Sequence, residues 1–194
     1  MLPEGDAVAA AVICHAHPLH GGMMHFKAVF RAAKALQEQG LAVLRFNFRG
    51  VGASEGVHDH AKGEQGDASA ALDEMARRFP GRPLVLGGFS FGAAVALLVG
   101  AAQPRVGAIV ALGFPFRIVP DTAFLSGLRT PRLFVQGEND EFGGGDRIRG
   151  LVEPLPEPKR LVVIPGSDHF FAGHLDTLQR TIAGWAAERP WGTA

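Results

Sequence analysis

The feature that most constrains this chain is the run Leu84-Val85-Leu86-Gly87-Gly88-Phe89-Ser90-Phe91-Gly92-Ala93-Ala94. It opens as an apolar, β-branched segment of the kind that forms a buried strand, and Ala93-Ala94-Val95-Ala96-Leu97-Leu98 begins a helix of small and apolar residues. Between them, Gly88-x-Ser90-x-Gly92 leaves almost no chain in which to turn from one element into the other. A serine at the apex of so sharp a turn takes a strained backbone conformation, and the residues two before and two after it must be small for the chains to pass. This is the geometry of a nucleophile elbow, in which the hydroxyl stands clear of the sheet edge and the next N–H points at the same spot. A glycine-rich turn opening a core helix would spell the same pattern; the strand and helix flanking it favour the elbow.

The rest of the chain repeats the alternation of strand and helix. Val8 to Cys14 is an uninterrupted apolar run, as expected of a strand buried on both faces, and it ends in His15-Ala16-His17-Pro18. Met23, Phe26, Val29, Phe30, Ala33 and Leu36 recur at helical spacing, which predicts a helix stopped by Gly40. Leu41 to Phe46 is the next strand, followed by a polar loop to about Lys62 and a helix through Leu72, Met75 and Phe79, closed by Pro80-Gly81. Beyond the elbow, Val106 to Leu112, Arg132 to Gly137 and Arg160 to Ile164 read as strands. A short helix is expected near Ile148 to Val152, and an extended link through Pro154, Pro156 and Pro158. A last helix carries Phe171, Leu175, Leu178, Ile182 and Trp185 on one face, whereas Gly113 to Thr130 shows no clear period. The pattern predicts a single α/β domain over residues 1–194, a doubly wound, mostly parallel sheet with helices on both faces. In such sheets, ligands and catalytic groups gather at the carboxyl ends of the strands.

A chain of 194 residues can bury about 70% of the surface its unfolded form exposes. Its 19 basic and 19 acidic residues balance, and no run of like charge marks a nucleic-acid or membrane surface, so small neutral partners are expected. The single cysteine, Cys14, can form no internal disulfide, and Glu4 and Asp6 stand where a secretory signal carries lysines; both point to the cytoplasm. Gly50-x-Gly52 lacks the third glycine of a dinucleotide loop, and no lysine follows Gly92 as a phosphate-binding loop requires, so no nucleotide module is read here.

Three of the later strand ends deliver Ser90, Asp140 and His169, in the order serine, acid, histidine. A serine hydroxyl is a weak nucleophile until an imidazole accepts its proton, and the imidazole needs a carboxylate to fix its tautomer. Glu138 and Glu141 flank Asp140, which is preferred because it lies three residues past the strand-ending Gly137. The oxyanion hole should use the Phe91 N–H and one from the loop after the first strand, best placed at Leu19, with Gly21-Gly22 allowing close approach of the backbone. Arg49, near Asn47, either orients a substrate carboxylate or ties loops together, the second being favoured; Glu64 and Asp67 read as acids at a helix start. Phe114 and Phe116 are expected either to line an acyl or alcohol pocket or to cover the core.

Five stretches together carry a resemblance. They are His15-Ala16-His17-Pro18-Leu19-His20-Gly21-Gly22, Leu44-Arg45-Phe46-Asn47-Phe48-Arg49-Gly50-Val51-Gly52, Gly88-Phe89-Ser90-Phe91-Gly92, Gln136-Gly137-Glu138-Asn139-Asp140 and Asp168-His169-Phe170-Phe171. Nearly the whole chain from Val8 resembles the small, lidless bacterial α/β-hydrolases distantly related to dienelactone hydrolase. The resemblance implies Ser90 as nucleophile, Asp140 as acid, His169 as base and Leu19 and Phe91 as oxyanion donors. Dienelactone hydrolase itself uses a cysteine nucleophile, so its substrate is not carried over. Family members usually place a β-hairpin before the strand that here starts near Val8, where only seven residues stand, so the hairpin is shortened or absent. An exposed sheet edge of that kind invites pairing with a second copy of the chain.

The expected function is a serine hydrolase, without cofactor, that cleaves a small carboxylic ester, thioester or related acyl substrate through an acyl-serine intermediate. Two rival readings stand beside it. His15, His17, His20 and His25 cluster, and their spacing is similar to the zinc loop of metallo-β-lactamase-like hydrolases; there an aspartate precedes the third histidine, where this chain has Leu19, and no second cluster completes a site. A binding protein that kept the fold without the catalysis is the other.

Overall fold

The computed structural model describes residues 1–192; residues 193 and 194, the end of the expected domain, lie outside the described residues. The apolar runs become six strands: β1 Ala9–Cys14, β2 Leu41–Arg45, β3 Leu84–Phe89, β4 Val106–Leu112, β5 Arg132–Gly137 and β6 Lys159–Ile164. Between and after them come the helices α1 Lys27–Glu38, α2 Lys62–Arg78, α3 Phe91–Ala102, α4 Gly145–Val152 and α5 Leu175–Ala187. The strands form one sheet in the order β2-β1-β3-β4-β5-β6, and every neighbouring pair is parallel.

Alternate side chains of a strand point to opposite faces, and both faces are covered here. Ala10, Val12 and Leu86 pack with Leu72 and Met75 of α2, Val95 of α3 and Ile148 of α4. Ala9, Ala11, Ile13 and Val85 pack on the other side with Val29 and Leu36 of α1 and with Leu178, Ile182 and Trp185 of α5. Each fully buried leucine or isoleucine of these clusters contributes about 1.5–3 kcal/mol. Helix α3 buries nearly its whole circumference, as a helix that is apolar all round must.

From β1 the chain passes outward to β2, then returns to place β3 on the other side of β1. The crevice at such a reversal, outside the carboxyl ends of the strands, is where open α/β sheets bind ligands. The ends of β1 and β3 bring His15 to His17 and Ser90 to that crevice. On the outer flank of the sheet, Met1 makes two backbone hydrogen bonds with Val43 of β2, at 2.7 and 2.8 Å.

One expectation shifts. The helix predicted from Met23 begins only at Lys27, with Phe26 as its N-cap, and Met23 and Phe30 are exposed. Phe26 fits the helical period but stacks on Phe89 at 5.3 Å, while Phe30 lies beneath the Arg45 guanidinium. The aperiodic stretch after β4 holds a 3-10 turn at Ala123–Gly127, and its Leu125 and Leu128 pack into the α3 side of the core.

Candidate active site

Ser90 joins β3 to α3 with φ 54° and ψ −119°, a left-handed conformation unfavourable to any residue with a side chain. Its neighbours show why the pattern needs glycine. A Cβ on Gly88 would stand 2.2 Å from the Gly92 carbonyl, and one on Gly92 would stand 2.4 Å from the Cys14 carbonyl oxygen. The elbow is therefore pressed against itself and against the end of β1. Ser90 is the N-cap of α3, so the Phe91 N–H begins the helix with no intrahelical partner.

His169, on the loop after β6, places Nε2 3.0 Å from Ser90 Oγ and Nδ1 2.7 Å from Asp140 Oδ2. Asp140 lies on the loop after β5, its side chain fully buried. Its Oδ2 also accepts a 2.8 Å hydrogen bond from Gln136 Nε2, and its Oδ1 accepts one from the Phe142 N–H at 2.8 Å. Gln136 is fixed in turn, because its Oε1 accepts the Phe114 N–H at 2.7 Å. The carboxylate is thus bound by donors on both oxygens, and the ring it faces sits among Phe89, Phe142 and Phe170. The other two acids are placed differently: Glu138 spends Oε2 on the Gly166 N–H at 2.8 Å, and Glu141 is exposed.

Around Ser90 and His169 lies a cleft of about 360 Å³, lined by His17, His20 and Phe26 and by Pro115, Arg117, Ile118, Phe142 and Phe170. For Phe114, Phe116 and Arg49 the pocket role gives way to the alternative role read for each, and the expected donor Leu19 is corrected. Phe114 is fully buried and packs edge-on against Phe116, which lies beneath Arg147; the cleft takes Pro115, Arg117 and Ile118 from that segment instead. Arg49 does not line the cleft: its Nε and Nη2 grip the Asp67 carboxylate at 2.8–3.2 Å, and its own N–H meets the same group at 3.0 Å, tying the loop after β2 to α2. Leu19 is exposed and its N–H donates to His17 Nδ1 at 3.2 Å, so the expected oxyanion donor already has an acceptor.

The histidine cluster is not assembled as a ligand set. His15 is buried and uses both ring nitrogens on backbone, Nδ1 with the Ala16 carbonyl at 2.6 Å and Nε2 accepting the Phe48 N–H at 3.0 Å. With His15 so engaged, the spacing shared with zinc loops has lost its first ligand, and among the described residues no three side chains are arranged to hold a metal ion. A second buried pair was not foreseen: His58, on the loop before α2, brings Nδ1 to 2.7 Å from Oε1 of the fully buried Glu64. That contact is close but not aligned as a hydrogen bond, and His58 Nδ1 and Nε2 and Glu64 Oε2 have no hydrogen-bond partner.

A parallel sheet with a strained Ser90 at its central turn and a histidine within reach at a later strand end defines the α/β hydrolase class. The chain belongs to that family: the family model described as alpha/beta hydrolase domain matches residues 9–182. A serine hydrolase homologue from Coxiella burnetii is 37% identical and superposes with a TM-score of 0.86, over 95% of this chain and 88% of that one. A serine hydrolase without a lid from Xanthomonas campestris is 36% identical, with a TM-score of 0.85, over 100% of this chain and 88% of that one. A protein of Rickettsia prowazekii is 36% identical over 181 residues, covering 89% of this chain and 76% of its own length. No helix among the described residues is long and apolar enough to cross a membrane.

Proposed function

We propose that this chain is a serine hydrolase that cleaves a small carboxylic ester, thioester or related acyl substrate through an acyl-Ser90 intermediate. The observation that carries this reading is the continuous hydrogen-bonded line from Asp140 through His169 to Ser90 Oγ, at 2.7 and 3.0 Å. His169 Nε2 takes the hydroxyl proton as Oγ bonds to the carbonyl carbon and the carbonyl π pair moves to oxygen. When the tetrahedral species collapses, the bond to the leaving group breaks and that group takes the proton from His169. Water, deprotonated by the same nitrogen, then attacks the acyl carbon and releases the acid with Ser90 restored. Asp140 holds the imidazole with its proton on Nδ1 and stabilises the positive ring.

The Phe91 N–H is one oxyanion donor, placed at the positive end of α3. The second donor belongs to the wall formed by residues 16–22. The aromatic and aliphatic lining suits short or compact acyl groups, and Arg117, the one fixed cation of that lining, favours neutral or anionic substrates over cationic ones. The chemistry requires no cofactor, and the surroundings proposed for it are cytoplasmic, with small-molecule partners. Labelling with a fluorophosphonate probe, beside hydrolysis of short p-nitrophenyl esters, tests the proposal. Wild type is expected to label and turn over, and Ser90→Ala to do neither; equal labelling of the two proteins removes Ser90 as nucleophile.

A further inference from the structure

The loop after β4 brings to the cleft a charge that the protein itself does not use. Arg31, Arg49, Arg77, Arg78, Arg105 and Arg160 are all in ion pairs with carboxylates. Arg117 is exposed and lines the cleft, and among the described residues its guanidinium meets no carboxylate and makes no hydrogen bond. None of the residues lining the cleft is an aspartate or glutamate; beside Arg117 the polar side chains are Ser90, His17, His20 and His169. A guanidinium stays charged at every pH at which the protein is folded, so the empty cleft carries a permanent positive charge without a counter-ion.

The segment that presents Arg117 is fixed to the residues around His169. Gly113 donates its N–H to the Val135 carbonyl at 2.9 Å and passes so near the His169 ring that a Cβ there would stand 3.1 Å from Cε1. The Phe114 N–H is held by Gln136 Oε1, and Nε2 of the same amide donates to Asp140 Oδ2 at 2.8 Å and to the Gly143 carbonyl at 2.9 Å. One side chain thus ties this loop to the carboxylate behind His169. The Pro115 carbonyl then accepts the Ile118 N–H at 2.9 Å, closing a turn with Phe116 and Arg117 at its two central positions. Phe116 is held away from the cleft, edge-on to Phe114 at 4.9 Å and beneath Arg147, while both ends of the turn, Pro115 and Ile118, line the cleft with Arg117. Arg117 follows Gly113 by four residues, which span at most about 14 Å when extended and less through a turn. A rounded space of about 360 Å³ is only about 9 Å across, so a compact ester joined to Ser90 reaches the wall that bears the guanidinium.

We propose that Arg117 determines specificity by binding a carboxylate on the leaving group, so that the substrate is an ester or thioester whose alcohol or thiol bears a free carboxylate. The proposal rests on Ser90 being the nucleophile. To take its proton, the leaving oxygen or sulfur must come within hydrogen-bond reach of His169 Nε2. The loop that carries Arg117 starts against the His169 ring, so the leaving group lies beside the wall that bears the cation. As the bond from the acyl carbon to the leaving atom breaks, that atom takes the proton from His169, and the distant carboxylate stays ionised throughout. A guanidinium offers two parallel N–H donors in one plane, the geometry of a carboxylate. One fixed charge also answers one negative charge. His17 adds none, since burial first, and then His58 and His20, hold it below the ordinary imidazole pKa. A seated substrate shields the pair from solvent, where salt weakens it less than on an open surface.

Hydrolysis of 4-acetoxybenzoate and of 4-acetoxybenzamide tests this, because the two differ in the charge of a group carried by the leaving phenol. Wild type is expected to favour the acid by at least about tenfold in kcat/KM, chiefly through KM. Arg117→Met keeps the length of the side chain without its charge and should lower the acid-to-amide ratio about tenfold. Arg117→Lys should keep part of the preference, and Arg117→Glu should reverse it. Added potassium chloride should lower the ratio in wild type and leave it unchanged in Arg117→Met. The same ratio in wild type and Arg117→Met would overturn the role of Arg117. A preference for p-nitrophenyl hydrogen glutarate over p-nitrophenyl glutaramate, with none between the two acetates, would put the carboxylate on the acyl side and overturn the leaving-group assignment. Wild type that labels at Ser90 but cleaves neither acetate would overturn the substrate class alone. Absence of labelling at Ser90 would remove the nucleophile, and the task of Arg117 with it.

Discussion

Asp140 and Glu64 each bring a carboxylate oxygen to 2.7 Å from Nδ1 of a buried histidine, His169 in one case and His58 in the other. By distance and burial the two pairs are alike, yet they are built for different ends. His169 has a partner at each nitrogen, and Asp140 is gripped by the Gln136 amide and the Phe142 N–H, so every group lies along a hydrogen-bonding direction. Glu64 instead accepts the Asp59 N–H while Asp59 accepts the Gly63 N–H, a pair of bonds that ties the loop to the first turn of α2, and His58 lies against Glu64 without alignment. The comparison teaches that an imidazole beside a carboxylate acquires chemistry from its third partner and its orientation more than from the contact distance.

The largest expected effect separates the two carboxylates. Asp140→Asn should lower kcat about 10⁴-fold, because the imidazole loses its correct tautomer, whereas Glu64→Gln should leave kcat within about tenfold of wild type. Comparable losses in the two would erase the distinction drawn here. A smaller effect belongs to Gln136. Replacing it with leucine leaves the Phe114 N–H buried without an acceptor, at a cost of about 1–3 kcal/mol, and frees the Asp140 carboxylate to rotate. Urea unfolding should report the first consequence and kcat the second; an unchanged kcat would mean that Asp140 is held well enough by the Phe142 N–H alone.

The gentlest test is pH. Burial holds His15 and His17 below the ordinary imidazole pKa, in His15 against the opposing hydrogen bond to the Ala16 carbonyl. Below about pH 6.5 the unfolded chain binds protons that these folded rings refuse. The stability they contribute is therefore present above that value and is lost as pH falls through their folded pKa values. Urea midpoints should decline between about pH 7 and pH 5. A midpoint that rose on acidification would contradict this account of the two rings.

Much of the architecture was legible because period and turn chemistry are local. β4 and β5 begin and end where the apolar runs at Val106 and Arg132 predicted, and the elbow could be read because glycine is forced on both sides of Ser90. The meeting of Ser90, Asp140 and His169 was readable for a related reason, since all three follow strands of one parallel sheet. The lining of the cleft was not legible. Phe114 and Phe116 point into the core while Pro115, Arg117 and Ile118 face the cleft, and a segment without a period offers no rule for choosing between them. Leu19 was chosen by its place after Pro18, but the direction of its N–H depends on the ring of His17. The pairing of His58 with Glu64 escaped because an acid in the first turn of a helix ordinarily faces water.

The backbone at Ser90 has a consequence for how this protein can change over time. Glycine adopts φ 54° and ψ −119° without the penalty of about 1–3 kcal/mol that a side chain incurs in such regions, which outweighs the roughly 0.5–1 kcal/mol that glycine's extra freedom costs. A lineage selected for folding alone would drift toward glycine at position 90 and grow sturdier by doing so. The serine stands at a strained turn of the chain, where robustness and reactivity pull in opposite directions.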